Sequence, residues 1–177
     1  MGNVILDMAV SLDGFIGSHD GSDQGLHDWY FAPSPASKAV IDEGVDGFGA
    51  IVMGKRAYGQ GYAESPYDAA HLVLTHDTPK TVVNGTLQFE FVDSIESALA
   101  RAKAAAGPRH IAIGGGADIA RQFLATGSVD EIQLHVVPKL LGSGIRLFEP
   151  APPHDLELLR VVDGHTVTHL KYRVLTT

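Results

Sequence analysis

IAIGGGADIARQFL, Ile111 to Leu124, is a short apolar run that meets three consecutive glycines and continues as a helical pattern. Without a Cβ, Gly114, Gly115 and Gly116 let backbone pack closely and reach φ > 0. The first amides of the following helix point at the same spot, a favourable place for an anion such as a pyrophosphate. On local grounds the junction reads equally as a phosphate cradle or as a structural turn.

Outward from it, strands and helices alternate. Val4 to Val10 is apolar except for Asp7, as in a central strand covered on both faces. Phe48 to Met53 is a second buried strand that runs into Gly54-Lys55-Arg56-Ala57-Tyr58, a second glycine-cornered strand-to-helix junction. HLVLT (residues 71 to 75) and Phe89 to Val92 read as further strands, with a turn at Asp77-Thr78-Pro79. Ser34 and Pro35 fit N-cap and N1 of a helix ending at Gly44 or Gly47. Asp93 with Glu96 fits a capping box ahead of Ile95, Ala98, Leu99 and Ala102 on one helical face. Glu131 to Val137 is a strand, followed by a Pro/Gly-rich connector. Leu156 to Val162 and Thr166 to Leu175 flank Asp163-Gly164, a hairpin signal. This order describes an α/β sheet, mostly parallel, with an antiparallel C-terminal edge.

Asp13 to Ser37 lacks periodicity and carries Trp29-Tyr30-Phe31, which suggests a lid or binding loop. The chain of 177 residues, 45% hydrophobic and 19% charged, suits a single globular domain, residues 1–177, that buries roughly 70% of its unfolded surface. It has no cysteine, which excludes disulfides and thiolate chemistry. A net charge of −8 opposes broad attraction to nucleic acid or anionic membrane. No apolar run approaches the roughly 20 residues that span a bilayer, and the N-terminus has no basic flank, so a cytoplasmic location is expected.

If both glycine-cornered strands are parallel, their junctions share the carboxyl edge of the sheet, where ligands of α/β folds bind. Lys55 and Arg56 at a helix N-terminus oppose the helix dipole, so they await an anion or are simply solvated. Gly49 to Arg56 has Walker A spacing but apolar strand residues inside it, and Arg56 stands where Ser or Thr would hold Mg²⁺. Counting G-x-G-x-x-G from Gly114 puts Ile119 at the third glycine. The nine histidines include the pairs His71/His76 and His165/His169, the latter on one face of the last strand, but form no recognisable ligand set, so no metal is expected.

SLDGFIG (Ser11 to Gly17), MGKRAYG (Met53 to Gly59) and IGGGADIARQFL (Ile113 to Leu124), in this order, resemble the dihydrofolate reductase superfamily. VDEIQLHVVPKLLGSGIRLF (Val129 to Phe148) is more similar to the branch around the reductase domain of riboflavin biosynthesis and its small stand-alone relatives. The resemblance spans nearly the whole chain. It implies a three-layer αβα fold with a mixed, mostly parallel sheet of about eight strands, binding NADPH across its edge. By the same resemblance Gly114, Gly115, Gly116 and Ala117 cradle the pyrophosphate. Gly54, Lys55, Arg56 and Ala57 meet the phosphates of the adenosine half, the two cations favouring NADPH over NADH. Thr75 lies near the adenosine, and Ala9 and Ile16 border the nicotinamide. The implied activity is hydride transfer to a small conjugated heterocycle, pteridine-, pyrimidine- or flavin-precursor-like, held against Trp29, Tyr30 and Phe31. Asp13, in the matching S-L-D-G, either touches substrate as a catalytic residue or caps the loop.

The chain also departs from the pattern. Dihydrofolate reductases carry a carboxylate about one helical turn after a tryptophan, whereas after Trp29 no Asp or Glu occurs until Asp42, and the corresponding neighbourhood is Ser34. That argues against pterin reduction of that kind. A binding protein that keeps the cradle without turnover is the alternative function. The apolar C-terminal hairpin offers a surface for a homodimer.

Overall fold

A computed structural model describes residues 2–59, 66–77, 81–84, 87–149 and 153–175. In chain order the elements are β1 (Val4–Ser11), α1 (Asp28–Phe31), α2 (Pro35–Gly47), β2 (Phe48–Gly54), α3 (Lys55–Gly59), β3 (Ala70–Leu74), β4 (Val82–Asn84), β5 (Leu87–Val92), α4 (Ile95–Ala106), β6 (His110–Ile113), α5 (Ala117–Ala125), β7 (Glu131–Val137), β8 (Leu156–Asp163) and β9 (Thr168–Val174). They form one nine-stranded sheet of order β4-β5-β3-β2-β6-β1-β7-β9-β8. The run from β5 to β7 is parallel, while β4, β9 and β8 pair antiparallel. The fold class expected from sequence is therefore the one found, with β4 as an extra three-residue edge strand whose apolar run was too short to register.

Period-2 alternation sorts each central strand between two faces. Val4, Leu6 and Met8 of β1, Ala50 and Val52 of β2 and Ile111 and Ile113 of β6 join one apolar cluster. Ala98, Ala102 and Ala106 of α4 and Ile119, Ala120 and Phe123 of α5 complete it. Ile51 and Met53 of β2, Val73 of β3 and Phe89 of β5 face the other way, towards Ala57 and Tyr58 of α3. Leu26 and Trp29 pack on Ala9, Val137 and Val167, with Ile41 of α2 beside them. Helices thus cover both faces, α4 and α5 on one, α1, α2 and α3 on the other.

Ser34 caps α2 as expected, its side chain accepting from the Ser37 amide, with Pro35 opening the helix. At α4 the expected box at Asp93 and Glu96 is displaced by one residue. Ser94 is the N-cap, accepting from the Ser97 amide, and Glu96 sits in the first turn. The two residue types cap equally well, and the strand end at Val92 leaves Ser94 in the extended conformation an N-cap needs. The C-terminal hairpin turns over residues 164–167 rather than tightly at Asp163-Gly164. The Gly164 amide donates to the Val167 carbonyl at 2.8 Å, and His165 takes the left-handed conformation. His165 therefore sits in the turn and does not share a strand face with His169. Of the Asp77-Thr78-Pro79 turn, Thr78 and Pro79 lie outside the described residues.

The segment read as a lid has two distinct halves. Its first half is stitched to the connector after β7. Leu12 N donates to Lys139 O, Ile16 N to Ile145 O, and Ile145 N to Gly17 O, at 2.8–2.9 Å. The Asp13 carboxylate closes this seam, accepting from Ser11 Oγ at 2.6 Å and from the amides of Leu141 and Gly142 at 3.1 and 2.7 Å. The second half carries α1 and buries Leu26 and Trp29.

Two stability predictions follow from this packing. Phe123 is fully buried beneath the α5 junction, so Phe123→Ala should cost about 3–5 kcal/mol, read as a lower urea midpoint at unchanged slope. The Ser11 hydroxyl, with the amides of Gly142 and Leu141, lowers the Asp13 carboxyl from 3.8 to about 2, against a smaller opposing effect of burial. A carboxyl more acidic in the folded state stabilises above its unfolded value and loses that contribution as pH falls through the folded one. Asp13→Asn should thus be destabilising at pH 7, and the gap to the wild type should close between pH 3.8 and about 2 in urea melts.

Candidate functional site

The two glycine-cornered junctions meet because β2 and β6 are adjacent and parallel. The Gly114 amide donates to the Val52 carbonyl at 3.0 Å and the Gly54 amide to the Gly115 carbonyl at 3.2 Å. A Cβ on Gly115 would lie 2.5 Å from the Ala57 Cβ, so a side chain there is excluded by the start of α3. Gly116, at φ 87°, is the N-cap of α5 and offers no side-chain cap to its first amides.

These junctions open into a cleft of about 1130 Å³ along the carboxyl edge of the sheet. Gly54, Lys55, Arg56, Ala57, Thr75, Gly114, Gly115, Gly116 and Ala117 line one stretch of it, and Ala9, Ile16, Trp29, Tyr30 and Phe31 line another. Lys55 reaches Asp77 at 3.4 Å in an exposed pair worth little to stability. Trp29 is buried and Tyr30 half-buried, while Phe31 stands at the rim, 83% exposed. The three rings expected together on a ligand therefore occupy different depths. Asp13 is absent from the cleft lining, its carboxylate spent on the loop seam.

The sequence reading missed two residues of the cleft floor, Asp7 and His135. In the parallel register Asp7 pairs with Gln133 and Ala9 with His135, so all four side chains face the α1 and α2 side. His135 Nε2 lies 2.7 Å from Asp7 Oδ1, and His135 Nδ1 lies 2.7 Å from His169 Nδ1. His169 Nε2 is 3.0 Å from Ser37 Oγ, which is 3.5 Å from the Gly164 carbonyl. Trp29 packs over both imidazoles, its ring centroid 4.7 Å from His135 and 5.0 Å from His169. Burial, then the neighbouring His135, lowers His169 to about 4, with Asp7 opposing and Arg160 reinforcing. The signals were present in the sequence: Asp7 interrupts an apolar strand, and Glu131, Gln133 and His135 alternate with apolar residues along β7.

Comparison with known proteins gives a consistent result. The chain is 29% identical over 147 residues to the uncharacterised protein YwjB of Bacillus subtilis (strain 168), covering 81% of each. A putative riboflavin biosynthesis protein of Shewanella sp. PV-4 superposes with a TM-score of 0.73 at 20% identity, covering 98% of this chain and 99% of that one. RibD of Acinetobacter baumannii superposes with a TM-score of 0.74 at 17% identity, over 99% of this chain and 58% of that one. A diaminohydroxyphosphoribosylaminopyrimidine deaminase/5-amino-6-(5-phosphoribosylamino)uracil reductase of Thermotoga maritima gives 0.71 at 15%, covering 98% and 57%. These superpositions speak for the fold, and the sequence profile of the RibD C-terminal domain matches residues 3–170, so the chain belongs to the RibD C-terminal domain family.

Proposed function

We propose that this protein is a reductase that binds NADPH across the two glycine junctions and transfers a hydride to a small conjugated heterocycle of the pteridine, pyrimidine or flavin-precursor class. The observation that carries the reading is the Gly54–Gly115 contact beside an α5 N-terminus that no side chain caps, opening on a cleft with room for a dinucleotide and a small ring. Such a cradle suits a pyrophosphate, because backbone can approach it and the free amides of α5 favour negative charge. Family membership supports the same reading, as does the likeness to proteins named for reductase activity.

In this reading Gly114, Gly115, Gly116 and Ala117 hold the pyrophosphate. Lys55 and Arg56 face the phosphates of the adenosine half, and Thr75 borders the adenosine. Ala9 and Ile16 flank the nicotinamide. NADPH, when bound, supplies the hydride. Trp29 and Tyr30 orient the acceptor, with Phe31 at the entrance, and Trp29 Nε1, buried and without a hydrogen-bond partner among the described residues, is a donor that a ring carbonyl or nitrogen would satisfy. Asp13 serves the loop seam in this scheme and is not the proton donor. The whole described chain acts as one reductase domain, and a homodimer through the hairpin rests on Leu156, Leu158 and Val161, which stay exposed on the edge strand β8. Among the described residues no helix is long and apolar enough to cross a membrane.

The test is calorimetric titration with NADPH and with NADH. Removing two charged hydrogen bonds worth about 1.5–3 kcal/mol each, as in Lys55→Ala with Arg56→Ala, should weaken NADPH at least tenfold and leave NADH nearly unchanged. An equal loss for both would show that the cations do not read the 2′-phosphate. NADPH should also quench Trp29 fluorescence, and binding without oxidation across a panel of pterins, pyrimidines and quinones would favour a binding protein over an enzyme.

A further inference from the structure

The hydrogen bonds behind the cleft run in one direction and end on Asp7. The Gly164 carbonyl accepts from the Thr166 amide at 2.9 Å, which leaves the Ser37 hydroxyl to donate to His169 Nε2 at 3.0 Å while accepting from Ser34 Oγ at 3.2 Å. The His169 proton then sits on Nδ1 and is donated to His135 Nδ1 at 2.7 Å. The His135 proton sits on Nε2 and is donated to Asp7 Oδ1, also at 2.7 Å. Each contact holds one proton, both imidazoles are neutral, and Asp7 is a carboxylate. The lowering of His169 to about 4, caused mainly by burial, agrees with a neutral ring at pH 7.

Two polar groups are left open at the cleft floor. Asp7 Oδ1 is taken by His135, but no described residue donates to Asp7 Oδ2, and the side chain is 24% exposed. No lysine or arginine among the described residues pairs with Asp7, since Lys171 is held by Glu43 and Glu131, and Arg160 by Glu43. Trp29 Nε1 is a buried donor without a partner among the described residues, on a residue only 6% exposed. Both groups line the cleft, and both neighbour one imidazole: Asp7 hydrogen-bonds His135, and the Trp29 ring centroid lies 4.7 Å from that of His135. From this juxtaposition we propose that Asp7 is a specificity-determining residue, and that Asp7 and Trp29 together select a ring that carries an N–H donor next to a hydrogen-bond acceptor, as on the edge of a cyclic amide.

A ligand that covers Asp7 Oδ2 removes its water, and a carboxylate oxygen buried without a donor is costly. A ring N–H replaces that water with a charge-assisted hydrogen bond. Trp29 Nε1 needs the opposite partner, because an indole nitrogen only donates. A ring with N–H and C=O on adjacent atoms meets both needs. A quinone offers acceptors alone and sets a carbonyl lone pair against the carboxylate, and an N-methylated ring leaves the carboxylate facing a methyl group. Sites built around a substrate N–H reject analogues that lack it, since the site's own polar group then stays unpaired. The pteridine, pyrimidine or flavin-precursor class is thereby narrowed to members with a free ring N–H. That the bound ring accepts a hydride rests on the reductase reading above, whereas selection of its N–H edge rests on Asp7 and Trp29 alone.

The experiment is calorimetric titration of the protein, with and without oxidised NADP, using lumazine and uracil, each against its ring N,N′-dimethyl derivative, and menadione as a ring that only accepts. The wild type should bind the N–H form at least about tenfold more tightly than the methylated form, and menadione no more tightly than the methylated rings. Asp7→Asn keeps an oxygen for His135 and puts an amide N–H in place of the second carboxylate oxygen. It should weaken the N–H rings at least about tenfold and leave the methylated rings within about threefold, so that the discrimination collapses while the circular-dichroism spectrum is unchanged. Trp29→Phe should weaken both forms together and keep the discrimination. In the wild-type complex with nitrogen-15 lumazine, one ring N–H should be shifted downfield and protected from exchange, a readout that needs no variant. Discrimination that survives Asp7→Asn, equal binding of the two forms, no binding of either N–H ring, or a bound ring whose N–H protons exchange as freely as in solution would each overturn the proposal. NADPH titration decides the reductase reading separately. A protein that selects N–H rings but binds no NADPH refutes that reading alone, and one that binds NADPH without discriminating between the rings refutes this proposal alone.

Discussion

The arrangement of the cleft depends on the backbone contact in which the Gly54 amide donates to the Gly115 carbonyl. It forms only because both chain segments are small where they touch. A Cβ at 115 would press on Ala57, and one at 54 would come within 3.2 Å of Ile119. Because the ends of β2 and β6 are locked together, α3 and α5 begin from one point, one bringing two cations and the other uncapped amides. A larger residue at 115 would have to separate the strands or push α3 away, and either change would spread the two helix starts apart. The meeting of cations and uncapped amides at this edge is therefore a consequence of packing.

The sheet face under α1, α2 and α3 is divided chemically. Over β2, β3 and β5 it is an apolar layer of Ile51, Met53, Val73 and Phe89. Over β7 and β9 it is polar, with Glu131, Gln133, His135, His169 and Lys171 in adjacent registers. β1 is the boundary: Ile5 belongs to the apolar layer, and Asp7 opens the polar one. Each buried polar group left without a partner costs about 1–3 kcal/mol, so this half of the molecule stays folded only because Asn3, Lys171, Ser37 and the paired imidazoles satisfy most of it. The cleft lies over the boundary, with an apolar wall on one side and Asp7 and His135 on the other.

Much of this was legible in the sequence, and the limits have physical causes. Strands with both faces buried are continuous apolar runs, so β1, β2 and β6 and their glycine corners were readable, and with them the sheet edge that carries the site. The face of a strand is also readable from alternation, but alternation does not say whether the polar side meets water. EIQLHVV has the pattern of a half-solvated strand, yet Glu131, Gln133 and His135 are all buried, with Trp29 of α1 packed on His135 and Lys171 of β9 paired with Glu131. Asp93 and Ser94 are both good caps, and only the dihedrals at the strand end select between them. Asp13 stood in a matching motif, but whether its carboxylate faced a ligand or the amides of Leu141 and Gly142 depended on a connector 128 residues away.

The missing carboxylate after Trp29 was the main argument for a protein that binds and does not turn over, and the structure alters its weight. The neighbourhood that lacks it holds Ser34, which hydrogen-bonds Ser37 at the closed end of the chain leading to Asp7. A carboxylate therefore reaches the cleft from β1 instead of from the loop. Such a chain carries an energetic cost. Burying ionisable groups costs desolvation that apolar residues of similar size avoid, and replacing such networks by apolar side chains is often neutral or stabilising. Trp29, Leu26 and Val167 already supply an apolar layer into which β7 and β9 could have packed with valine or leucine at 135 and 169. Two imidazoles, a hydroxyl and a carboxylate in their place give up stability for a connected polar line that reaches the cleft floor at Asp7.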